Sequence, residues 1–206
     1  WLAGQGHNGV SALGDDPGLG KTAQAVHALD LLQIKRALIV APAAVKQVWP
    51  AEIKKWSTDP RRRVISVTEN VQMGAWLDGK FDIAVISYEA AVKWNNVIRN
   101  NLDILPALII DEAHYGKSQQ AKRTRALYGP HATRTSCLAA ITGHVWPLSG
   151  TFMPNDPMDI WTHLRCSGIT TQTFSAFEQE YFNTDFSTNK TENKKKKKRI
   201  AELQEM

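Results

Sequence analysis

The segment Asp15-Asp16-Pro17-Gly18-Leu19-Gly20-Lys21-Thr22 stands between the apolar stretch Val10–Leu13 and a helical pattern that opens at Lys21. A strand, a glycine-rich turn and a helix in that order leave few folds open. The turn must lie at the carboxyl edge of a sheet, with the helix packed back along it. Gly18 and Gly20 let the backbone approach an anion, Lys21 adds a compact positive charge, and the helix start offers free N–H groups. That is the chemistry that holds phosphate. Further along, Asp111-Glu112-Ala113-His114 follows the apolar run Ala107-Leu108-Ile109-Ile110, so its carboxylates also emerge at the carboxyl end of a buried strand. Both segments point to one site for a nucleotide triphosphate.

Roles follow from residue type. Gly18, Leu19 and Gly20 form the phosphate cradle, with Gln24 close behind, and Lys21 faces the β- and γ-phosphates. Thr22 offers a hydroxyl and Asp111 a carboxylate to Mg2+. Glu112 is then placed to orient and deprotonate the attacking water, which makes Glu112 and Lys21 the catalytic candidates.

Apolar β-branched runs alternate with helical patterns along the chain, which predicts an α/β fold, a mainly parallel sheet flanked by helices on both faces. Strands are expected at Val10–Leu13, Ala37–Ala41, Val64–Thr68, Ile83–Ser87, Leu108–Asp111 and Val145–Ser149. Helices are expected at Lys21–Ile34, Ala44–Trp56, Glu89–Arg99, Ser118–Tyr128, Pro157–Leu164 and Phe174–Phe182, with Pro50 kinking or breaking the second. Residues 1–182 make one domain. Residues 183–206 are polar and lysine-rich and read as a flexible segment.

The 206 residues are 43% hydrophobic and 22% charged, the composition of a soluble globular domain. No apolar run approaches the ~20 residues that span a bilayer, so no membrane partner is expected. Cys137 and Cys166 lack metal-type spacing and read as reduced thiols, a pattern of intracellular proteins. The formal charge of +5 favours a polyanionic partner, although five consecutive lysines at 194–198 account for the whole excess.

The strict phosphate-loop pattern requires glycine five positions before Gly20, where this chain has Asp15. In that departure, Asp15-Asp16-Pro17-Gly18-Leu19-Gly20-Lys21-Thr22-Ala23-Gln24 resembles the D-E-x-G-L-G-K-T-x-Q of Swi/Snf-type DNA-dependent ATPases, a branch of the superfamily-two helicases. The resemblance continues through residues 38–56, a strand ending at Pro42 followed by Trp49, Glu52 and Trp56. It then takes in Ser87-Tyr88-Glu89, the DEAH segment, and Leu148-Ser149-Gly150-Thr151. It implies a RecA-like P-loop domain that uses ATP and Mg2+ and has double-stranded DNA as partner. Ser149, Gly150 and Thr151, with His114, would couple the γ-phosphate state to the grip on DNA.

The stretches 121–129 and 153–161 look most like compact bacterial and phage forms akin to annealing helicases. Placement would follow source, cytoplasmic for a bacterial or phage protein and nuclear for a eukaryotic one. What the chain resembles is the first lobe alone. The resemblance implies an adenine-reading glutamine motif before Trp1 and, beyond Met206, a second RecA-like lobe carrying an arginine for the ATP site. Two departures stand out: Pro17 has no N–H to give a phosphate, and Phe152 replaces the family's proline.

By position in this family, DNA phosphates would meet Pro42, Ala43, Ala44 and Lys46, together with Ser87 and Tyr88. Such contacts position without reading sequence. Trp49 and Trp56, seven apart on one helical face, read as packing residues rather than stacking platforms. A DEAH-type RNA helicase shares the tetrapeptide, but the GLGKT loop with Gln24 and the tryptophan-bearing helix fit the DNA-translocating branch better. A nucleotide-binding regulatory module without turnover is the alternative from another class. Intact Lys21, Thr22, Asp111 and Glu112 argue against it.

Overall fold

A computed structural model of the chain describes residues 9–154 and 156–181. Strands β1 (Ala37–Ala41), β2 (Val64–Ser66), β3 (Ile83–Ser87), β4 (Leu105–Asp111) and β5 (Thr142–Leu148) form one sheet of order β2-β3-β1-β4-β5, with every neighbouring pair parallel. The helices among these residues are α1 (Lys21–Leu31), α2 (Trp49–Trp56), α3 (Asn70–Leu77), α4 (Tyr88–Asn101), α5 (Lys122–Tyr128), α6 (Trp161–Ser167) and α7 (Phe174–Tyr181).

Alternate strand residues bury into opposite layers, which is why the strands read as unbroken apolar runs. Leu38, Val40, Ala84, Ile86, Leu108 and Ile110 pack with Met73, Trp76, Trp94 and Ile98 from α3 and α4. Ala37, Ile39, Ala41, Ile83, Val85 and Ile109 pack with Val26, Leu29, Trp49 and Ile53 from α1 and α2. A small third cluster, Met158, Trp161, Leu164 and Phe177, holds α6 and α7. The α/β fold with helices on both faces is as expected. None of the helices among the described residues is long and apolar enough to cross a membrane.

The expected strand at Val10–Leu13 is in place beside β5 but is broken into two bridges, Val10 with Val145 and Leu13 with Leu148. The cause is Pro147. Val145 N–H donates to Gly9 O, Ser11 N–H to Val145 O, Leu13 N–H to Pro147 O and Ser149 N–H to Leu13 O. The rung between the two pairs would need an N–H on residue 147, which proline lacks.

Pro50 neither kinks nor breaks a helix. It lies in the first turn of α2, which opens at Trp49, while residues 43–48 form turns rather than the expected helix. In that first turn a missing N–H leaves no bond unmade. Helix α3 was not expected: Met73 and Trp76 are buried but Gly74 and the 80%-exposed Val71 blur the pattern. Its signal was the capping box of Glu69 and Gln72. Helix α5 begins at Lys122 rather than Ser118. The segment 183–206 and Phe182 lie outside the described residues.

Candidate nucleotide site

Parallel pairing brings the carboxyl ends of the strands to one edge, with Ala41 beside Ser87 and Asp111 beside Leu148. Every candidate site residue lies on the segments leaving that edge. The phosphate loop arrives from Leu13 and enters α1 through Gly20, which sits at φ 78°, ψ 28°. Only glycine adopts that left-handed geometry without penalty, and it turns the first N–H groups of α1 outward. Gly18 has φ 86° with nothing near its missing Cβ, so it too serves backbone geometry rather than close packing.

The Lys21 ammonium donates to the carbonyls of Asp15 (2.6 Å) and Asp16 (3.0 Å). Gln24 Nε2 donates to Asp15 Oδ2 at 2.8 Å and reaches Leu19 O at 3.3 Å. Asp15 therefore has a role where glycine is usual: it ties the loop to the first turn of α1. Thr22 is half-buried in that turn, and Leu19 is exposed.

Asp111 closes β4. Its Oδ2 accepts from Trp49 Nε1 at 2.9 Å, and its Oδ1 accepts from the Glu112 N–H at 3.0 Å. Burial pushes the Asp111 carboxyl above its ordinary pKa, helped by the Glu112 charge and opposed by the Trp49 N–H and the Lys21 charge. Two adjacent carboxylates, one of them desolvated, with a hydroxyl at Thr22, make an oxygen-only donor set of the kind Mg2+ takes. Elsewhere, too, the described residues hold no cluster of three or more His, Cys, Asp or Glu able to bind a metal by themselves. Glu112 sits at φ 51°, ψ 53°, a left-handed conformation that costs a non-glycine residue about 1–2 kcal/mol.

From Glu112 a polar chain runs into the next motif. His114 Nδ1 lies 3.2 Å from Glu112 Oε2 and 3.2 Å from Ser149 Oγ. The Ser149 hydroxyl donates to Thr151 O at 2.6 Å, so the proton toward Ser149 comes from His114 Nδ1, which Glu112 shares. Thr151 N–H closes the turn on Ser149 Oγ at 3.2 Å. Gly150 lies against Pro17 of the phosphate loop. Phe152 stacks edge-on against His163, with ring centroids 5.0 Å apart, and borders Gly14.

The residues expected to meet DNA divide. Ala43 and Ala44 are exposed on the loop after β1. Ser87 caps α4, its Oγ accepting from the Ala90 N–H. Lys46 is turned inward, 8% exposed, with Nζ donating to Val67 O at 3.0 Å. Tyr88 is 2% exposed, and its hydroxyl lies 2.7 Å from Asp111 O and 3.0 Å from Glu112 O. Trp49 is buried as expected, yet its indole N–H reaches Asp111. No sequence signal marked that contact, nor the one from Tyr88.

This fold is that of a RecA-like lobe. The chain belongs to the SNF2-related domain family, with a match running over residues 1–206. It is 28% identical over 174 residues to helicase SWR1 of Mycosarcoma maydis, covering 79% of this chain and 9% of that protein. Over 127 residues it is 32% identical to the DNA repair and recombination protein RAD54B of Homo sapiens, covering 56% of this chain and 14% of that one. Over 161 residues it is 32% identical to protein CHROMATIN REMODELING 25 of Arabidopsis thaliana, covering 70% and 16%. The SWI2/SNF2 ATPase core of Sulfolobus solfataricus, solved in complex with double-stranded DNA, shares the fold. Its TM-score is 0.68 and its identity 23%, over 92% of this chain and 38% of that one. The chain thus spans only a small part of the relatives it matches.

Proposed function

We propose that this chain is the ATP-binding first lobe of a DNA-dependent ATPase that moves along or remodels double-stranded DNA. The observation that carries the reading is the convergence of the Lys21 loop, the Asp111–Glu112 pair and the Ser149–Thr151 turn on one sheet edge. There the chain of contacts from Glu112 through His114 to Ser149 joins the water-activating carboxylate to the coupling turn. Lys21 and the loop N–H groups hold the phosphates, with Gly18, Leu19, Gly20 and Gln24 shaping the loop. Thr22 and Asp111 would hold Mg2+, which supplies charge neutralisation on the phosphates when bound. Glu112 takes the proton from the attacking water.

Duplex DNA would lie along the exposed Ala43–Ala44 loop near Ser87, with a second RecA-like lobe of the parent protein completing the site. Placement with the compact bacterial and phage forms rests on residues 121–129 and 153–161 alone. The three sequence relatives named above are eukaryotic, and a parent of that kind would be nuclear; the structural neighbour comes from Sulfolobus solfataricus. Titration calorimetry with ADP and Mg2+ tests the site: the chain binds with modest affinity, and Lys21→Ala abolishes binding. Equal binding by both proteins would remove Lys21 from the site.

A further inference from the structure

Two side chains that take no part in the proposed ATP chemistry converge on the Asp111–Glu112 pair. We propose that Trp49 and Tyr88 are positioning residues that hold this pair in its metal- and water-binding geometry, an inference that rests on the proposed ATP site. Trp49, in the first turn of α2, gives its Nε1–H to Asp111 Oδ2, while the Glu112 N–H occupies Oδ1. Each carboxylate oxygen is thereby fixed by one donor and keeps acceptor capacity for an ion or its water. Burial alone does not require this contact. Trp76 and Trp146 are at least as buried, and neither indole N–H has a hydrogen-bond partner among the described residues.

Tyr88 addresses the backbone of the same pair. The left-handed turn at Glu112 brings the carbonyls of Asp111 and Glu112 within reach of one hydroxyl, at 2.7 and 3.0 Å. A phenol has a single proton, so the two contacts share it. Straightening Glu112 into an extended or right-handed conformation would separate the two carbonyls and leave a buried hydroxyl with one partner fewer. Tyr88 therefore offsets the cost of the strained conformation that aims the Glu112 side chain. Tyr115 stacks on Tyr88 with ring centroids 5.6 Å apart, and Arg123 lies over Tyr115, which closes this wall of the site. The pair is thus held from both sides of the sheet, by α2 on one face and α4 on the other.

The test is ADP affinity of the chain measured in excess Mg2+ and in EDTA, for wild type, Trp49→Phe and Tyr88→Phe, with urea midpoints recorded alongside. Tyr88→Phe keeps the ring and loses only the hydroxyl, whereas Trp49→Phe keeps an aromatic ring but also gives up buried indole volume, which the urea midpoints report. Each is expected to weaken ADP binding about tenfold in Mg2+ and less than about twofold in EDTA, since a hydrogen bond to a charged or strained partner is at stake. In an Asp111→Asn background, Trp49→Phe should add less than about twofold, because Trp49 acts through that carboxylate. A merely structural role would weaken binding equally with and without the metal, and would add fully to Asp111→Asn. Either result overturns the proposal while leaving the ATP site standing. If Trp49→Phe does not fold, Tyr88→Phe in Mg2+ against EDTA decides. A wild-type chain that binds no ADP overturns both the site and its positioning residues.

Discussion

The Cβ that Gly150 lacks would stand 2.9 Å from both Cδ and Cγ of Pro17, and 3.4 Å from the Pro17 nitrogen. The coupling turn and the phosphate loop are therefore in direct contact, through a residue with no side chain on one side and a rigid ring on the other. Pro17 fills the free position of the family pattern with a residue that has no N–H. It gives up a phosphate donor but supplies a rigid surface next to Asp15 and Asp16, the residues whose carbonyls hold Lys21.

Gly150→Ala is accordingly expected to displace the phosphate loop rather than unfold the sheet. Overpacking of this kind costs about 1–3 kcal/mol, so ADP affinity should fall by about 5- to 150-fold. Pro17→Ala in the same chain should restore most of it, by removing the ring that the new methyl strikes. Calorimetry on the two single variants and the double variant checks this. A loss that Pro17→Ala does not relieve would place the strain elsewhere.

Asp30 and Arg62 form an ion pair at 2.6 Å with both side chains less than a tenth exposed. Asp30 also accepts from Ser57 Oγ, Thr58 N–H and Thr58 Oγ1, and Arg62 Nη1 donates to Ile34 O. Burial pushes the Asp30 carboxyl up, but the Thr58 N–H, the Arg62 charge and the two hydroxyls together hold it below the usual carboxylate range. Its contribution is present above the ordinary carboxylate pKa and is lost as pH falls through the lowered value. Asp30→Ala leaves a buried guanidinium without its partner and should cost about 3–5 kcal/mol. Urea unfolding at neutral pH measures it. A cost below about 1 kcal/mol would mean that water reaches Arg62.

Much of this architecture was legible because it is local. The strands Ala37–Ala41 and Ile83–Ser87 stand at their expected bounds, since both are short apolar runs ended by Pro42 and by the helix cap Ser87. Asp111, Glu112, His114 and Ser149 share an edge because parallel strands put their carboxyl ends together. What sequence could not carry is which way a side chain turns. Lys46 has the charge for a DNA phosphate yet donates to Val67 O. Tyr88, in a block that looked like a DNA contact, bends under the sheet edge to Asp111 and Glu112. Trp49 packs as its spacing predicts, but its hydrogen bond joins α2 to β4, which are far apart in the chain. The single Pro147 that splits Val10–Leu13 into bridges lies on the partner strand, out of view of a reading of Val10–Leu13 itself.

His163 is fully buried between Tyr128 and Phe152, and neither ring nitrogen has a hydrogen-bond partner among the described residues. Burial, helped by the neighbouring His114, lowers its pKa from 6.5 to about 4 against the opposing Asp159 charge. The folded chain keeps this ring neutral, while the unfolded chain protonates it below about 6.5. Stability is therefore full above that pH and declines as pH falls toward about 4. A shift of this size is worth about 3 kcal/mol in total. Asp30 and Asp82 lose their contributions only at lower pH, because their pKa values are depressed. Asp111, whose pKa is raised, works with the opposite sign. Urea midpoints at pH 7 and 4.5 for wild type and His163→Leu isolate the effect: the wild type should lose more stability on acidification than the variant. Equal losses would mean that His163 is protonated in the fold.

Binding and turnover should separate in this chain. In the proposed reading Glu112 prepares the water, and an ion held by Thr22 and Asp111 would neutralise part of the developing charge. The superfamily-two pattern that the chain resembles brings an arginine to the γ-phosphate from the second lobe, and Arg123, Arg125 and Arg134 among the described residues are engaged elsewhere. Arg134 donates to Ala139 O and Thr142 O at the start of β5, the end of the strand away from the site. Arg125 reaches Gln120, and Arg123 lies over the Tyr115 ring. Such an arginine contributes roughly 10³–10⁵ in rate in related phosphoryl-transfer enzymes, about 4–7 kcal/mol of barrier lowering. Residues 1–206 are therefore expected to hydrolyse ATP at near-background rate with or without DNA, while binding Mg-ADP. In a parent protein with a second lobe, DNA should stimulate turnover strongly, and Glu112→Gln should remove turnover while ATP binding persists. Phosphate release assays on both forms check this. Robust DNA-stimulated hydrolysis by residues 1–206 would show that the chain completes its own site, for instance by bringing Arg123 or Arg125 of a second copy to the γ-phosphate.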